Sequence, residues 1–157
     1  MTHRHPDASI CPDLPTSCST TVSSQPMRPL EEAQVGETLR PYAYTLTREI
    51  ALFAARNIGR DSLETDASGN ELAPACVTDN DYTGLWISDF TIKEAIHAKA
   101  EHHYLTPPRV GMRLNVTGRI IDKYNRRGRE YLVLESETVD EDGTKLVESK
   151  NVLLIDL

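Results

Sequence analysis

The sequence predicts an α+β fold in which a long antiparallel sheet wraps around one central helix. Three observations carry this expectation. Residues 111–157 alternate apolar and polar positions over three runs separated by two turn signals, the pattern of a meander. Residues 48–58 hold an amphipathic helical pattern. A lone meander cannot bury its apolar face, and this helix is the only long amphipathic element available to cover it.

The elements follow in order. Residues 1–30 are rich in Ser, Thr and Pro (PTSCSTTVSSQPMRP) and have no sustained apolar period. They offer too little apolar surface to offset the entropy of ordering, so a flexible arm is expected, with a single folded domain over 31–157. In GETLRPYAYT, Leu39, Tyr42 and Tyr44 supply strand-favouring bulk, and Pro41 makes it an edge or irregular strand rather than a central one. Thr47 is a plausible N-cap for REIALFAARNIG. There Ile50, Phe53, Ala54 and Ile58 fall on one helical face, and Gly59 can end the helix in the left-handed conformation. Residues 60–81 are polar and turn-rich, with Ser68-Gly69-Asn70 and Pro74 as breakers. A loop of that length inside a domain is often functional. TGLWISDF (83–90) is apolar but of unsettled class, and Ile96–Leu105 reads as a strand. From Gly111, alternating runs are joined by turns at Asn125–Gly128 and Asp140–Gly143.

The chain has 157 residues, the length of one domain. No apolar run approaches the roughly 20 residues that span a bilayer, and no secretory signal opens the sequence. A cytoplasmic protein with no membrane role is expected. The three cysteines, Cys11, Cys18 and Cys76, have neither a framework nor a zinc-ligand spacing and read as reduced thiols. The formal net charge is −7, yet Arg109, Arg113, Arg119, Lys123, Arg126, Arg127 and Arg129 meet only one acid, Asp122, within their stretch. Such segregation favours a phosphate-bearing or acidic partner, or it simply solvates a hairpin. Few aromatics interleave with these residues, so no nucleic-acid partner is expected.

Five segments in sequence order resemble the MaoC-like hydratase/dehydratase family of the hot-dog fold. GETLRPYAYTLTREIALFAARNIG is similar to the family's opening strand and helix. Leu63-Glu64-Thr65-Asp66 resembles the N-P-L-(H/Y)-x-D loop. Leu72-Ala73-Pro74-Ala75 stands where the family has I-A-H-G or I-A-P-P. Arg109-Val110-Gly111-Met112-Arg113-Leu114 resembles P-x-R-x-G-D-x-L, and GRIIDKYNRRGREYLVLESETVDEDGTKLVES resembles the paired strands that follow. The resemblance covers residues 34–157. It implies binding of an acyl or enoyl thioester on CoA or acyl-carrier protein, no cofactor, and enoyl hydration or 3-hydroxyacyl dehydration.

The family uses an Asp and a His on the loop after its helix as acid and base. A backbone N–H at the A-H-G glycine polarises the thioester carbonyl. Here the Asp falls near Gly59 or Arg60 and the His on Glu64, so neither side chain is retained, while Ala75 can still offer its N–H. Asp61 and Glu64, three residues apart, are the candidate substitute pair. One of them would have to be held protonated by burial to serve as an acid; otherwise both are solvated turn residues, as Asp66 is expected to be. Ala75, Cys76, Arg109, Arg126, Arg127 and Arg129 are the candidate substrate-binding residues.

Two alternatives stand beside an active hydratase. One is a noncatalytic acyl-binding subunit that pairs with a second hot-dog chain. The other is a thioesterase, which would need a carboxylate on the helix, and ALFAARN has none. A homodimer or a heterodimer is expected because a lone sheet leaves an edge open. On a regular strand His97, Glu101 and His103 would share one face as a metal triad. No other cluster supports a metal, and none is expected.

Overall fold

The meander sits at the centre of the molecule. The computed structural model describes residues 27–155. The expected arm lies outside the described residues as far as residue 26. Its last residues belong to the fold: β1 (Arg28–Pro29) pairs in parallel with β5 (Phe90–Thr91), and Leu30 is buried.

Strands β7 (Arg113–Arg126), β8 (Arg129–Val139) and β9 (Lys145–Leu154) form the antiparallel meander. β2 (Tyr42–Thr45) flanks β7, and β6 (Ile96–Tyr104) flanks β9, giving the order β2-β7-β8-β9-β6. Pro41 does precede an edge strand. The β7–β8 turn places Arg127 at φ 55° and Gly128 at φ 74°, the paired left-handed residues of a two-residue hairpin turn. In the β8–β9 turn, Asp140 Oδ1 accepts from the N–H groups of Asp142 (3.0 Å) and Thr144 (2.8 Å).

Helix α1 (Arg48–Asn57) forms where its periodicity predicts, with Thr47 Oγ1 accepting from Ile50 N–H at 3.4 Å. It does not cover the sheet. Its buried residues are Ala51, Ala54 and Ala55, and Ala51 packs with Leu46, Ala73, Met112 and Leu114 at the start of β7. Phe53, expected in the core, is 68% exposed, and Ile50 and Ile58 also face solvent.

The sheet's concave face is covered instead by α2 (Asp81–Asp89), within the segment whose class the sequence left open. Leu85 and Trp86 are buried there with Phe90 against Val116, Ile120, Leu132 and Leu134. Full burial of such side chains contributes about 1.5–3 kcal/mol each. Glycine makes the approach possible: a Cβ on Gly118 of β7 would stand 2.6 Å from Leu85 Cδ1. The fold class stands, and the helix that fills the sheet is the second one. No helix among the described residues is long and apolar enough to cross a membrane.

Candidate functional site

The loop after α1 is less irregular than its composition suggests. Asp66 turns the chain by accepting Ser68 N–H and Asn70 N–H on Oδ1, both at 2.9 Å, and Asn70 Nδ2–H on Oδ2. These bonds, the Asn70 side chain first, hold its carboxyl below the usual range. The turn closes a short hairpin of β3 (Glu64–Thr65) and β4 (Glu71–Leu72). β4 is then tied to the Pro108 region by Ala73 N–H donating to Pro108 O at 2.9 Å and by a bridge from Leu72 to Arg109. After Pro74 the chain enters a 3-10 helix, Ala75–Thr78, whose leading N–H groups have no partner within the helix.

These pieces enclose a cleft of about 210 Å3 between Arg60, Ser62, Leu63 and Glu64 on one side and Leu72–Ala75 with Pro107 on the other. Glu64 and Ala75 both line this cleft. Cys76 follows Ala75 directly and is half-buried; burial, then the Asp79 carboxylate, push its thiol up. It packs as a thiol and is not primed as a nucleophile. Arg109 does not line the cleft, but its backbone bridges to Leu72, which does. Asp61 is exposed and does not line it.

Glu64 is 67% exposed and ion-paired with Arg60 at 2.5 Å. A carboxylate so placed, in solvent and against a guanidinium, is one half of a surface ion pair. Arg126, Arg127 and Arg129 are not part of this site. They form the β7–β8 tip, at the far end of a 14-residue strand, about 40 Å of chain from Arg113. The basic stretch is thus split between the two ends of the sheet.

The histidine triad is broken by backbone geometry. In β6 the register steps from His97 opposite Leu153 to Lys99 opposite Val152, so Ala98 is an extra residue in a bulge. The bulge turns His97 to the α2 side of the sheet, where its Nε2 meets Asn151 Oδ1 and its Nδ1 meets Tyr82 Oη, both at 3.0 Å. Glu101 and His103 lie on the opposite face, in rows with Lys150 and Glu148. That face carries a larger hollow of about 580 Å3. Its charges are spent on one another, as in Arg119–Glu135 (3.2 Å) and Lys145–Glu137 (2.9 Å), which reads as a solvated surface.

Two polar groups escaped the sequence reading. Asp81, the first residue of α2, is 8% exposed and accepts from Thr138 Oγ1–H at 2.7 Å and Tyr44 Oη–H at 3.0 Å. Burial pushes its carboxyl up to about 6, although both hydrogen bonds oppose the change. Burial and the Asp81 charge likewise raise the Tyr42 and Tyr44 phenols. The only sequence signal was the i, i+2 spacing of Tyr42 and Tyr44, which puts both rings on one strand face. The second group is Asn151, fully buried in a row with Ile120 and Leu134. Its Nδ2 has no partner, at a cost of about 1–3 kcal/mol for a buried unpaired donor.

No family model and no curated protein sequence matches the chain. Its architecture does find matches: a sheet of five antiparallel strands in this order with one helix buried against it. The chain has the hot-dog fold. It is similar to the MaoC-like dehydratase from Rhodospirillum rubrum, with 17% identity, 82% of this chain and 97% of that one covered, and a TM-score of 0.65. It is also similar to an R-hydratase from Pseudomonas aeruginosa (16%, 81% and 84%, 0.66). A third similar hot-dog structure is the 3R-hydroxyacyl-ACP dehydratase complex HadBC from Mycobacterium tuberculosis (16%, 76% and 96%, 0.59).

Proposed function

We propose that this hot-dog protein binds an acyl or enoyl thioester, on CoA or acyl-carrier protein, and acts in enoyl hydration or 3-hydroxyacyl dehydration. The observation that carries the reading is the cleft where Ala75, at the head of a 3-10 helix, faces the loop of Glu64. A thioester carbonyl seated at Ala75 would meet backbone N–H groups with no helical partner, the geometry that stabilises enolate charge. Arg60 lines the cleft and Arg109 is bridged to its Leu72 wall, so both are candidates to meet an anionic carrier. Asp61 and Glu64 are the candidate acid–base pair, and the Arg60–Glu64 ion pair argues for a binding role for the second of them.

One assay separates the readings. The full chain is expected to bind crotonyl-CoA, with affinity reduced in Arg109→Ala. Loss of hydration by about a hundredfold in Glu64→Gln or Asp61→Asn would establish the substitute pair. Binding without turnover, with hydration appearing on addition of a second hot-dog chain, is the result of a noncatalytic subunit. Absence of binding removes the proposal.

A specific observation favours a further reading, thioester hydrolysis. The helix that fills the sheet is α2, not ALFAARN, and α2 begins with a buried carboxyl, Asp81. Thiol release from crotonyl-CoA, rather than water addition to it, marks that outcome.

Assembly is tested separately. Among the described residues β6 pairs only with β9, leaving the nine residues of its other side open. Open edges of that length invite a partner strand. Light scattering is expected to give twice the chain mass of 17.6 kDa; a stable monomer at micromolar concentration argues against the dimer.

A further inference from the structure

We infer that the acyl group accepted here carries an oxygen function, a carboxylate or a hydroxyl, at the end remote from the thioester. This rests on the thioester reading above and adds the chemistry of the tail. A plain hydrocarbon tail calls for an apolar lining. The strip of sheet between α2 and β6 is the opposite.

The bulge at Ala98 places His97 and His102 on the same face of β6, although they stand an odd number of positions apart. His97 joins Tyr82 and Asn151, and His102 Nδ1 lies 2.8 Å from Ser149 Oγ. Ser149 and Asn151 are two apart on β9 and share that face, so imidazole, phenol, hydroxyl and amide line one short strip.

Two atoms in this strip are left without partners. Asn151 is fully buried, yet its Nδ2 meets no acceptor. The Nε2 of half-buried His102 meets no group among the described residues. Both can donate: the amide nitrogen always does, and Nε2 does when Ser149 donates to Nδ1. An oxygen acceptor on the ligand would answer them; a methylene would leave them unsatisfied. The strip is linked to the cleft through one short helix. The 3-10 helix that starts at Ala75 leads to Asp79, and Asp79 accepts from Tyr104 Oη–H on β6, two residues from His102. That helix spans about 8 Å, comparable with a short acyl chain.

The test is calorimetric titration of the full chain with succinyl-CoA and butyryl-CoA, thioesters of equal carbon count, with 4-hydroxybutyryl-CoA to tell hydroxyl from carboxylate. An oxygenated tail is expected to bind about tenfold or more tighter than butyryl, because an analogue that cannot accept from the buried Asn151 amide leaves it unpaired and covers His102 Nε2 without a partner. In His102→Phe and His97→Phe the preference falls towards unity while butyryl-CoA still binds, which also shows that the variants are folded. His102→Gln, which keeps a polar group, retains part of the preference. Butyryl-CoA binding as tightly as both oxygenated thioesters overturns the inference and leaves the thioester reading standing. So does a preference that survives the phenylalanine changes. Failure to bind any thioester removes both.

Discussion

Asp81→Asn is expected to abolish a loss of stability of about 3 kcal/mol that the native protein suffers between pH 4 and pH 6. The figure follows from a carboxyl raised from 3.8 to about 6, at about 1.4 kcal/mol for each pH unit between the two values. The direction is set by which state releases the proton first. As pH rises through 4, the unfolded chain ionises Asp81 while the folded one holds its proton, so the unfolded state is favoured. Stability therefore falls through this window, and the penalty stays constant above about 6. Exposed carboxyls held low, such as Glu49 and Asp66, pull the other way, so the difference between variant and native protein is the quantity to read. Urea unfolding at pH 4 and pH 7 gives it directly. Asparagine retains one acceptor for Thr138 or Tyr44 and an N–H that either hydroxyl can accept. Parallel pH dependence in the two proteins would show that burial does not raise the Asp81 carboxyl.

The second large effect is expected at Trp86. Trp86→Ala removes a side chain that is 1% exposed and packs 6.0 Å from the Phe90 ring, centroid to centroid. Such a truncation costs about 3–5 kcal/mol. Phe53→Ala, on the exposed face of α1, is expected to cost less than about 1 kcal/mol. Equal losses at the two positions would mean that α1, not α2, fills the sheet.

That contrast marks where the sequence stops being legible. The meander, its turns, the edge strand after Pro41 and the capped helix α1 all follow from local chemistry, and each is where its pattern places it. The choice of covering helix does not. α1 has the better periodicity, but its inner face is alanine, and the large residues Ile50 and Phe53 point outwards. α2 is short, carries Gly84 in its middle and shows little periodicity, because its neighbours approach from several sides. Gly84 is there because the Tyr42 ring occupies the space a Cβ would need.

The site divides in the same way. Glu64 and Ala75 line one cleft because the motifs that carry them flank a single short hairpin, β3–β4. The grouping of Arg109 with Arg126, Arg127 and Arg129 was not sound, since neighbours in sequence along a strand end up tens of ångströms apart. The placement of His97 could not be read at all. A period-two argument assumes an unbroken ladder, and one inserted residue, Ala98, reverses the face of everything before it.

The same inserted residue bears on how the chain finds its pairing. Eight of the nine residues of β6 are exposed, so hydrophobic patterning gives this strand little to choose one alignment with β9 over another. A strand so lightly specified is prone to slippage during folding. The bulge changes that, because a shifted alignment would separate His97 from Asn151 and His102 from Ser149 together. The polar strip thereby acts as a key for alignment, and deleting Ala98 is the change that would lose it.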